Sequence, residues 1–443
     1  MPHELTPEQL ALREQRARAR KPESAACDND AGPDLIIPRS WISWADEQKS
    51  ISNGLRVKIL TFNLLAQCLI RRELFPTSHC LKANQREPML HQEILSQQPD
   101  IMCLQEVDRL EKLAPTLEKA QYSCVYRISP GKRHGCLIAY KRALFTQISD
   151  HLVNYDQEEV RATGDERVRQ GRSFRTRNIG IIVALKSIDN DCRGIIVATT
   201  HLFWHPKYAY ERARQAGIFM REILKFKLAT RTRHWPCIIA GDFNFAPNDP
   251  AYALIVGDLL WPEQLARIED SRVVHVSVDP AALKTKNFIV SDNGEGEEDV
   301  DPDREITNAR MATESDGLLT IAELYSLYDG IRLNSVYDIG LRRSKNFSQN
   351  GLKTFGDRFP LLFGRPGNYE PEYTSYTHYW KTVLDYIFFL DAEESQCQVL
   401  GLLAPHLEEN LEPGLPQQGI CGSDHISLVA ELFWPSISSG DQR

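Results

Sequence analysis

The apolar positions of this chain cluster in short runs, rich in Val and Ile, that begin at about residue 56 and recur almost to the carboxyl terminus. The runs are nearly continuous, a pattern typical of strands buried on both faces of a sheet. Helical spacing between them predicts helices over about residues 81–97, 208–228, 249–258 and 318–328. This alternation predicts an α/β layered domain. The predicted strands are RVKILTFNLLA, DIMCLQEV, CLIAYK, IGIIVALK, GIIVATTHLF, CIIAGDFN, LDYIFFL and ISLVAELFW.

Two polar segments stand apart from this pattern. Residues 1–40 carry a basic run and few large apolar residues, which predicts a disordered leader that is a solvated tail, a nuclear-import signal or an RNA contact. Between about residues 263 and 350 the strand pattern lapses, and the acidic stretch around 285–315 predicts a disordered surface insertion. We therefore predict a single catalytic domain over residues 41–443 that carries this insertion.

The net charge of −8 is unevenly distributed along the chain. Asp292–Glu305 holds eight acidic residues against one arginine, and the rest of the chain is close to neutral. Two segments, 161–180 and 207–233, are basic. Basic faces of this kind either bind phosphates or are simply solvated. The acidic total therefore does not exclude a nucleic-acid partner.

Targeting and cysteine patterns point to an intracellular protein. No apolar run approaches the roughly 18 residues of a membrane-spanning helix, and no signal-peptide pattern is present. Glu4, Glu8 and Glu14 disfavour a mitochondrial transit peptide, so we predict a soluble protein of the cytoplasm or nucleus. The ten cysteines occur singly, with no C-x-x-C pair. This predicts reduced packing residues rather than zinc or redox centres.

Polar side chains follow several predicted strands, at the points where a strand runs out into a loop. Taken singly, such a residue is usually a turn, capping or structural residue. Together they supply what phosphodiester hydrolysis needs: carboxylates and amides for hard Mg²⁺, and His and Asp for proton transfer and transition-state hydrogen bonds. The rival Walker, G-x-S-x-G and H-E-x-x-H motifs are absent from the sequence. The candidates are Asn63, Glu106, His201, Asp242, Asn244, Asp385, Asp424 and His425.

The order and wording of these segments resemble the signature blocks of the endonuclease/exonuclease/phosphatase superfamily. Within it, the chain is most similar to the branch of the Ccr-type deadenylases, nocturnin, the Angel proteins and the fungal Ngl RNA exonucleases, and the Ngl group matches best. The resemblance covers residues 55–435 apart from 263–350. It implies a DNase I-like α/β fold, a two-layer β-sandwich flanked by helices, with the site at one end of the sheets. The blocks are TFNLLAQ, DIMCLQEVD, TTHLFWHPKYAYERARQ, IIAGDFN, WKTVLDYIFFL and GSDHISLVAELFW.

The resemblance also implies a magnesium site and roles for the residues around it. Glu106 would be the main ligand of Mg²⁺, for which Mn²⁺ could substitute. Asn63 would support the metal or the phosphate beside it, and Asp424 would be an additional metal or water contact. Asp242 would orient or deprotonate the attacking water. Asn244 would bind the scissile phosphate.

Two histidines and their partners complete the implied set. His425 would hydrogen-bond a phosphoryl oxygen as charge develops, and Asp385 would hold its imidazole in one tautomer. His201 would lie on the other side of the phosphate and assist the leaving group or the transition state. Asn178 matches a family position near the phosphate.

Substrate contacts are implied by comparison with the deadenylases of this branch, which hold adenines between an aromatic ring and a proline. Pro206 matches the proline. Tyr376 and Trp380 are candidates for stacking on single-stranded RNA, with core packing as the alternative. Two departures from the deadenylase pattern, Ser375 and His134, argue against strict adenine selectivity.

We therefore predict a 3′–5′ exoribonuclease that acts on single-stranded RNA 3′ ends and releases nucleoside 5′-monophosphates, in rRNA 3′-end processing or poly(A) shortening. No leucine-rich repeats precede the catalytic blocks, so docking through such a module is not expected. Two alternatives are a nocturnin-like NADP(H) 2′-phosphatase and a non-catalytic RNA-binding module. The two enzymes differ in where basic side chains should lie. The phosphatase would be favoured if Arg172, Arg175 and Lys207 converged on a compact pair of phosphates. The exoribonuclease would be favoured if they were spread along a groove, with Arg175 as a substrate contact.

Overall fold

Two mixed β-sheets carry the predicted strands. The computed structural model describes residues 35–436 except 45–52, 190–192, 285–305, 307, 348–351 and 393–394. Every predicted strand is present; in the numbering given next, the eight predicted strands are β2, β3, β5, β7, β8, β9, β15 and β17. The strands within the described residues are β1 (Trp41–Ser43), β2 (Gly54–Asn63), β3 (Ile101–Val107), β4 (Tyr122–Arg127), β5 (Gly135–Lys141), β6 (Phe145–Asn154), β7 (Ile179–Ser187), β8 (Gly194–His201), β9 (Cys237–Asp242), β10 (Val273–His275), β11 (Ala309–Met311), β12 (Asn334–Ser335), β13 (Ser375–Tyr376), β14 (Lys381–Thr382), β15 (Asp385–Leu390), β16 (Gln398–Leu403) and β17 (Leu428–Pro435).

The strands divide between a larger and a smaller sheet. The larger sheet has the order β1-β16-β17-β2-β3-β5-β4, and the smaller has the order β12-β15-β9-β8-β7-β6. Two short ribbons, β10-β11 and β13-β14, lie outside both sheets. The predicted helices are present as α1, α4, α5 and α7. The helices are α1 (Ala83–Ser96), α2 (Leu110–Lys119), α3 (Glu166–Gln170), α4 (Ala209–Ala229), α5 (Pro250–Val256), α6 (Pro262–Asp270), α7 (Ile321–Ser326), α8 (Val336–Phe347), α9 (Phe355–Arg358) and α10 (Glu408–Leu411).

Each sheet buries both of its faces, because alternate side chains of a strand point in opposite directions. One set from each sheet meets in the layer between the sheets, and the other set packs against helices. The inter-sheet layer contains Val57, Ile59, Ile101 and Cys103 from the larger sheet and Ile181, Val183, Val197, Ile238 and Ala240 from the smaller. Burial on both faces explains why the apolar runs are continuous rather than alternating.

Helices cover the outer faces of the sandwich. On the larger sheet, Leu60 and Phe62 pack with Ile94 of α1 and Leu117 of α2. On the smaller sheet, side chains such as Ile182 pack with residues of α4 and α5. The predicted two-layer sandwich flanked by helices is confirmed, and it places the ends of the central strands at one edge of the molecule.

The two segments that we predicted to be disordered fall partly within the described residues. Residues 1–34 of the leader lie outside them, whereas Ile36 is buried and forms a β-bridge with Gly419. Most of the predicted insertion, 285–305, also lies outside. Its end is ordered, because β11 pairs antiparallel with β10. Among the described helices, none is both long and apolar enough to cross a bilayer.

Candidate active site

Strand pairing brings the candidate side chains to one end of the sandwich. In the larger sheet, β2 and β3 are parallel and align Asn63 with Gln105, so Asn63 lies beside Glu106 at the carboxyl ends of both strands. In the smaller sheet, the parallel pair β8 and β9 aligns His201 with Asp242. These side chains therefore converge from the two sheets although they are far apart in sequence.

The antiparallel strand β15 adds a further residue to this edge. Its first residue, Asp385, lies opposite Asp242, the last residue of β9. The backbone N–H of Asp385 donates to Oγ1 of Thr374 at 3.0 Å, which anchors the start of the strand. The end of β9 and the beginning of β15 thus place two carboxylates side by side.

The amide of Asn63 holds two carboxylates together. Its Nδ2 donates to Oε1 of Glu106 at 3.1 Å and to Oδ2 of Asp242 at 2.9 Å. Its Oδ1 accepts from the backbone N–H of Leu65 at 2.9 Å. Asn63 thus orients both carboxylates, and its predicted support of the metal or the adjoining phosphate stays a prediction.

Glu106 is held firmly in a strained backbone conformation. Its φ of 56° lies in the left-handed region, which non-glycine residues rarely adopt. Its Oε2 accepts from the backbone N–H of Ala66 at 2.8 Å. Burial would raise the pKa of this carboxyl, but His201, His134 and these hydrogen bonds bring the pKa below its ordinary value. Glu106 is therefore a carboxylate over the neutral pH range.

His425 and Asp385 form a buried hydrogen-bonded pair. Nδ1 of His425 lies 2.7 Å from Oδ2 of Asp385, and Asp385 is fully buried. Nε2 of His425 lies 3.7 Å from Oδ2 of Asp242. Burial would lower the pKa of His425, but Asp385, Asp242 and Asp424 raise it well above its ordinary value. The imidazole is therefore protonated near neutral pH and can donate from Nε2.

Asp242 and His201 have shifted pKa values because both are buried. Burial raises the pKa of Asp242 to about 8, so its carboxylate is a stronger base than a surface aspartate. Burial lowers the pKa of His201 to about 3, which makes this histidine neutral at pH 7. Nε2 of His201 lies 3.5 Å from Oδ2 of Asp242. Near neutral pH, a proton at this end of the site is therefore bound by His425 or Asp242 and not by His201.

The remaining predicted polar residues support the same end of the sheets. Asn244 has a φ of 54°, and its backbone N–H donates to Oδ1 of Asp242 at 2.9 Å. Nδ2 of Asn178 donates to the backbone oxygen of His201 at 2.6 Å. Asp424 lines the same cleft as His425. The structure thus brings together at one end of the sheets every residue that we predicted for catalysis.

The donor set fits a hard divalent cation. Glu106, Asp242 and Asp424 present carboxylates to one cleft, and the last two are buried, so an uncompensated cluster of like charges would be costly there. Asp242, Asp385 and His425 also have potential ligand atoms within 4.8 Å of one another. In that second group the Asp385 oxygen and the His425 nitrogen are joined by a hydrogen bond. Glu106 and Asp424 are therefore the better candidates for metal ligands.

A cleft of about 510 Å³ extends from these carboxylates. Its lining includes Trp204 and Pro206 from the segment after β8 and Tyr379 and Trp380 from the segment before β14. Trp204 is 43% exposed, and the indole Nε1 of Trp380 donates to Oγ of Ser375 at 3.0 Å. The cleft thus combines a polar catalytic end with partly exposed aromatic rings.

Two predicted substrate contacts lie elsewhere. Tyr376 is fully buried in the core beneath the larger sheet, where its ring meets Tyr373 edge-on and its hydroxyl donates to Glu412. It therefore has no face available to a base, and core packing was the correct alternative. Arg175 is exposed but is absent from the cleft lining within the described residues. Its backbone N–H donates to Ser277, in another part of the surface.

A buried ion pair shapes the far end of the cleft, and sequence reasoning missed it. Arg212 and Asp249 are each at most 2% exposed, and Nη2 of Arg212 lies 2.8 Å from Oδ2 of Asp249. Arg267 approaches the same carboxylate oxygen at 2.9 Å. The sequence signal was weak, because charged residues at helix beginnings are usually solvated. Their pairing depends on the contact between α4 and α5.

Replacing Asp249 with alanine is expected to destabilise the fold by roughly 3–5 kcal/mol, because it leaves the buried Arg212 charge without a carboxylate. Urea unfolding followed by circular dichroism measures this loss. The matched control is Asp258→Ala, which breaks a half-exposed pair with Arg365 and should cost about 1 kcal/mol or less. Equal losses of unfolding free energy in the two variants would contradict the expectation that burial makes the Arg212–Asp249 pair the more costly one to break.

Comparisons with known proteins agree with this geometry. A model described as the Endonuclease/Exonuclease/phosphatase family matches residues 60–425. The probable RNA exonuclease NGL3 of Saccharomyces cerevisiae is 30% identical over 413 residues, which span 86% of this chain and 77% of that protein. The RNA exonuclease NGL2 of the same yeast is 28% identical, with 97% of this chain and 89% of that protein covered.

A solved structure supports the fold independently. The crystal structure of ANGEL2, described as a 2′,3′-cyclic phosphatase, has a TM-score of 0.59 and 21% identity and covers 90% of this chain and 99% of that chain. At this identity the likeness concerns the fold alone. The family match over residues 60–425, together with the yeast relatives, shows that this chain belongs to the endonuclease/exonuclease/phosphatase family and is a hydrolase of phosphodiester bonds.

Proposed function

We propose that this chain is a magnesium-dependent 3′–5′ exoribonuclease that releases nucleoside 5′-monophosphates from single-stranded RNA. The main support is the cleft, in which the carboxylates Glu106, Asp242 and Asp424 adjoin the rings of Trp204 and Trp380. Aromatic rings of this kind stack on unpaired bases. The relatives named as RNA exonucleases support the same substrate class.

Proton transfer in this proposal involves Asp242 and His425. The Asp242 carboxylate, whose pKa burial raises, takes a proton from the attacking water. The protonated His425 donates a hydrogen bond from Nε2 to a phosphoryl oxygen, and Asp385 holds the ring in that orientation. Asn244, two residues after Asp242 in the chain, binds the scissile phosphate.

The leaving oxygen is stabilised without an imidazolium. Because burial keeps His201 neutral, it acts as a hydrogen-bond donor rather than as a general acid. Glu106 and Asp424 would hold a divalent ion, proposed to be Mg²⁺, which supplies positive charge for the phosphoryl and leaving oxygens. Asn63 keeps the Glu106 and Asp242 carboxylates in place.

The cellular substrates that we propose are the 3′ ends of rRNA precursors or poly(A) tails, in the cytoplasm or the nucleus. The 2′-phosphatase alternative has less support. Arg172 is buried and donates to the backbone oxygen of Asp156, and neither it nor Arg175 nor Lys207 is in the lining of the cleft within the described residues. These residues do not supply a compact diphosphate site next to Glu106.

The proposal is tested with a 5′-labelled RNA of mixed sequence that ends in adenosines, incubated with Mg²⁺ or with EDTA. We expect a ladder that shortens from the 3′ end only with Mg²⁺. Parallel reactions contain NADPH or an RNA that ends in a 2′,3′-cyclic phosphate. Phosphate release from NADPH with intact RNA, or ring opening without shortening, would retain the family chemistry but overturn the exonuclease proposal.

Trp380→Ala is expected to raise KM for single-stranded RNA about tenfold, because stacking on a base contributes roughly 1–3 kcal/mol. The value of kcat should change much less, since Trp380 is separate from the carboxylates that perform the chemistry. Steady-state kinetics on a fluorescent RNA measures both constants. Tyr325→Ala, which removes another partly exposed aromatic ring, serves as the control. An unchanged KM for Trp380→Ala would rule out this ring as a base contact.

A further inference from the structure

A short basic loop borders the catalytic residues on a side that the cleft does not use. The loop joins β4 to β5 and carries Lys132, Arg133 and His134 in succession. It ends beside β3, because Gly135 pairs with Val107, the residue that follows Glu106. The ring centroid of His134 lies 6.2 Å from that of His201. The loop therefore lies next to the catalytic end of the site.

A third cation, Arg177, joins Lys132 and Arg133 from the segment before β7, whereas burial lowers the pKa of His134 and keeps its ring neutral near pH 7. A Cβ atom added to Gly131 would lie 2.9 Å from Nη1 of Arg177, so this guanidinium packs directly on the loop. We name Lys132, Arg133, His134 and Arg177 the cationic cluster. The three charged members, Lys132, Arg133 and Arg177, repel one another unless an anion lies between them.

Within the described residues, no carboxylate lies within ion-pair distance of the cationic cluster. Lys132 donates to the amide oxygen of Asn178 at 3.3 Å, and Arg133 donates to the backbone oxygen of Cys68 at 3.1 Å. By contrast, Arg127 on the adjoining strand β4 is paired with Asp150. Lys132 and Arg133 are thus cations whose side-chain hydrogen bonds go to neutral groups.

The nearest acidic groups are engaged elsewhere. Both oxygens of Glu106 accept hydrogen bonds, from Asn63 and from Ala66. Asp156 accepts from the backbone N–H groups of Thr176 and Arg177. A half-buried lysine with only a neutral partner is unfavourable in isolation. An external anion would relieve this cost.

The position of the cationic cluster relative to the cleft indicates which part of an RNA substrate it would contact. Glu106 and His201 line the cleft, whereas no member of the cluster does so. The volume of about 510 Å³ is that of a small-molecule pocket rather than a long groove, so the cleft accommodates the end of a chain. An RNA strand whose 3′-terminal nucleotide occupies the cleft would run past the catalytic residues and leave the site on the side of the cationic cluster.

We propose that the cationic cluster binds the backbone phosphates of the RNA upstream of the scissile bond. This inference rests on the proposed exoribonuclease function and adds the surface that distinguishes a polynucleotide from a mononucleotide. Arg133 and Arg177, which are exposed, bind these phosphates. Lys132 donates to Asn178, which in turn donates to the backbone oxygen of His201, so these two residues connect the loop to the catalytic end. The cluster makes the affinity for RNA increase with the length of the strand but not depend on its sequence, because phosphates carry no base information.

The test compares a 12-nucleotide RNA with the dinucleoside monophosphate ApA, which has no phosphate except the scissile one. For Arg133→Gln, Arg177→Gln and the double variant, kcat/KM is measured on both substrates between 25 and 250 mM KCl. Each single variant is expected to lower the ratio of kcat/KM on RNA to that on ApA by about fivefold. The slope of log kcat/KM on RNA against log salt should become shallower by roughly 0.7 for each phosphate that is no longer neutralised. Arg142→Gln, at the opposite end of β5, is the matched control and should leave both values unchanged.

Three outcomes separate the inference from the proposed function. Hydrolysis of neither substrate by the unmodified protein would reject the exoribonuclease itself. Hydrolysis of RNA with an unchanged ratio and salt slope in both variants would reject the cationic cluster alone. An equal loss on RNA and ApA would also reject it, because the cluster would then act at the scissile phosphate through Asn178.

Discussion

Asp242→Ala is expected to lower kcat on RNA by about 10³-fold or more, which is the order of effect of removing a positioned general base. The physical reason is that Oδ2 of Asp242 lies close to both His201 and His425, at 3.5 and 3.7 Å, where the attacking water would be held. KM should change little, because the aromatic walls of the cleft are untouched. Single-turnover kinetics at saturating Mg²⁺ measures the chemical step.

The fold of the Asp242→Ala variant should remain intact. The substitution removes a buried carboxylate whose pKa is raised, and with it some repulsion from Asp385. It also leaves the backbone N–H of Asn244 without its acceptor, so we expect a change of only a few degrees in Tm. Asp270→Ala, an exposed change of the same charge, is the control. Loss of activity that simply tracks a large fall in Tm would reject the catalytic role.

Glu106→Ala is expected to weaken Mg²⁺ binding by more than about 100-fold and to abolish hydrolysis at millimolar Mg²⁺. Glu106 is the carboxylate that Asn63, Ala66 and a strained backbone hold toward the cleft. Isothermal titration calorimetry measures the affinity for Mg²⁺, and the RNA assay is repeated over a range of Mg²⁺ concentrations. Part of the activity should return at high Mg²⁺, which distinguishes this variant from Asp242→Ala.

The matched control for this prediction is Glu111→Ala, an exposed substitution on the following helix α2. It should leave Mg²⁺ affinity and activity at their original values. Unchanged Mg²⁺ affinity in Glu106→Ala would show that the ion is held by another group, such as Asp242, Asp385 and His425. That result would reassign the metal site without altering the family.

The predicted placement of polar residues at strand ends agrees with the structure, whereas residue type and local pattern do not predict the direction of each side chain. Asn63 was expected to support the metal or the phosphate beside it, and nothing in the sequence indicates that its amide nitrogen also contacts Asp242, a residue 179 positions away. Tyr376 was a candidate for stacking on a base, with core packing as the alternative, and the structure buries its ring in the core, where its backbone N–H donates to the backbone oxygen of Asp424. Neither direction has a local signal, because each is set by a distant strand.

The order of residues along the chain is sufficient to predict the strands, the flanking helices and the set of acids, amides and histidines, because local periodicity and strand-end placement depend on near neighbours. Which of these groups meet depends on tertiary packing. The parallel registers of β2 with β3 and of β8 with β9 bring Glu106 and Asp242 to one edge. Burial at that edge then raises the pKa of Asp242 and lowers that of His201. Packing also leaves Lys132 with a neutral partner, Asn178, and a pattern of residues does not show where the nearest carboxylate lies.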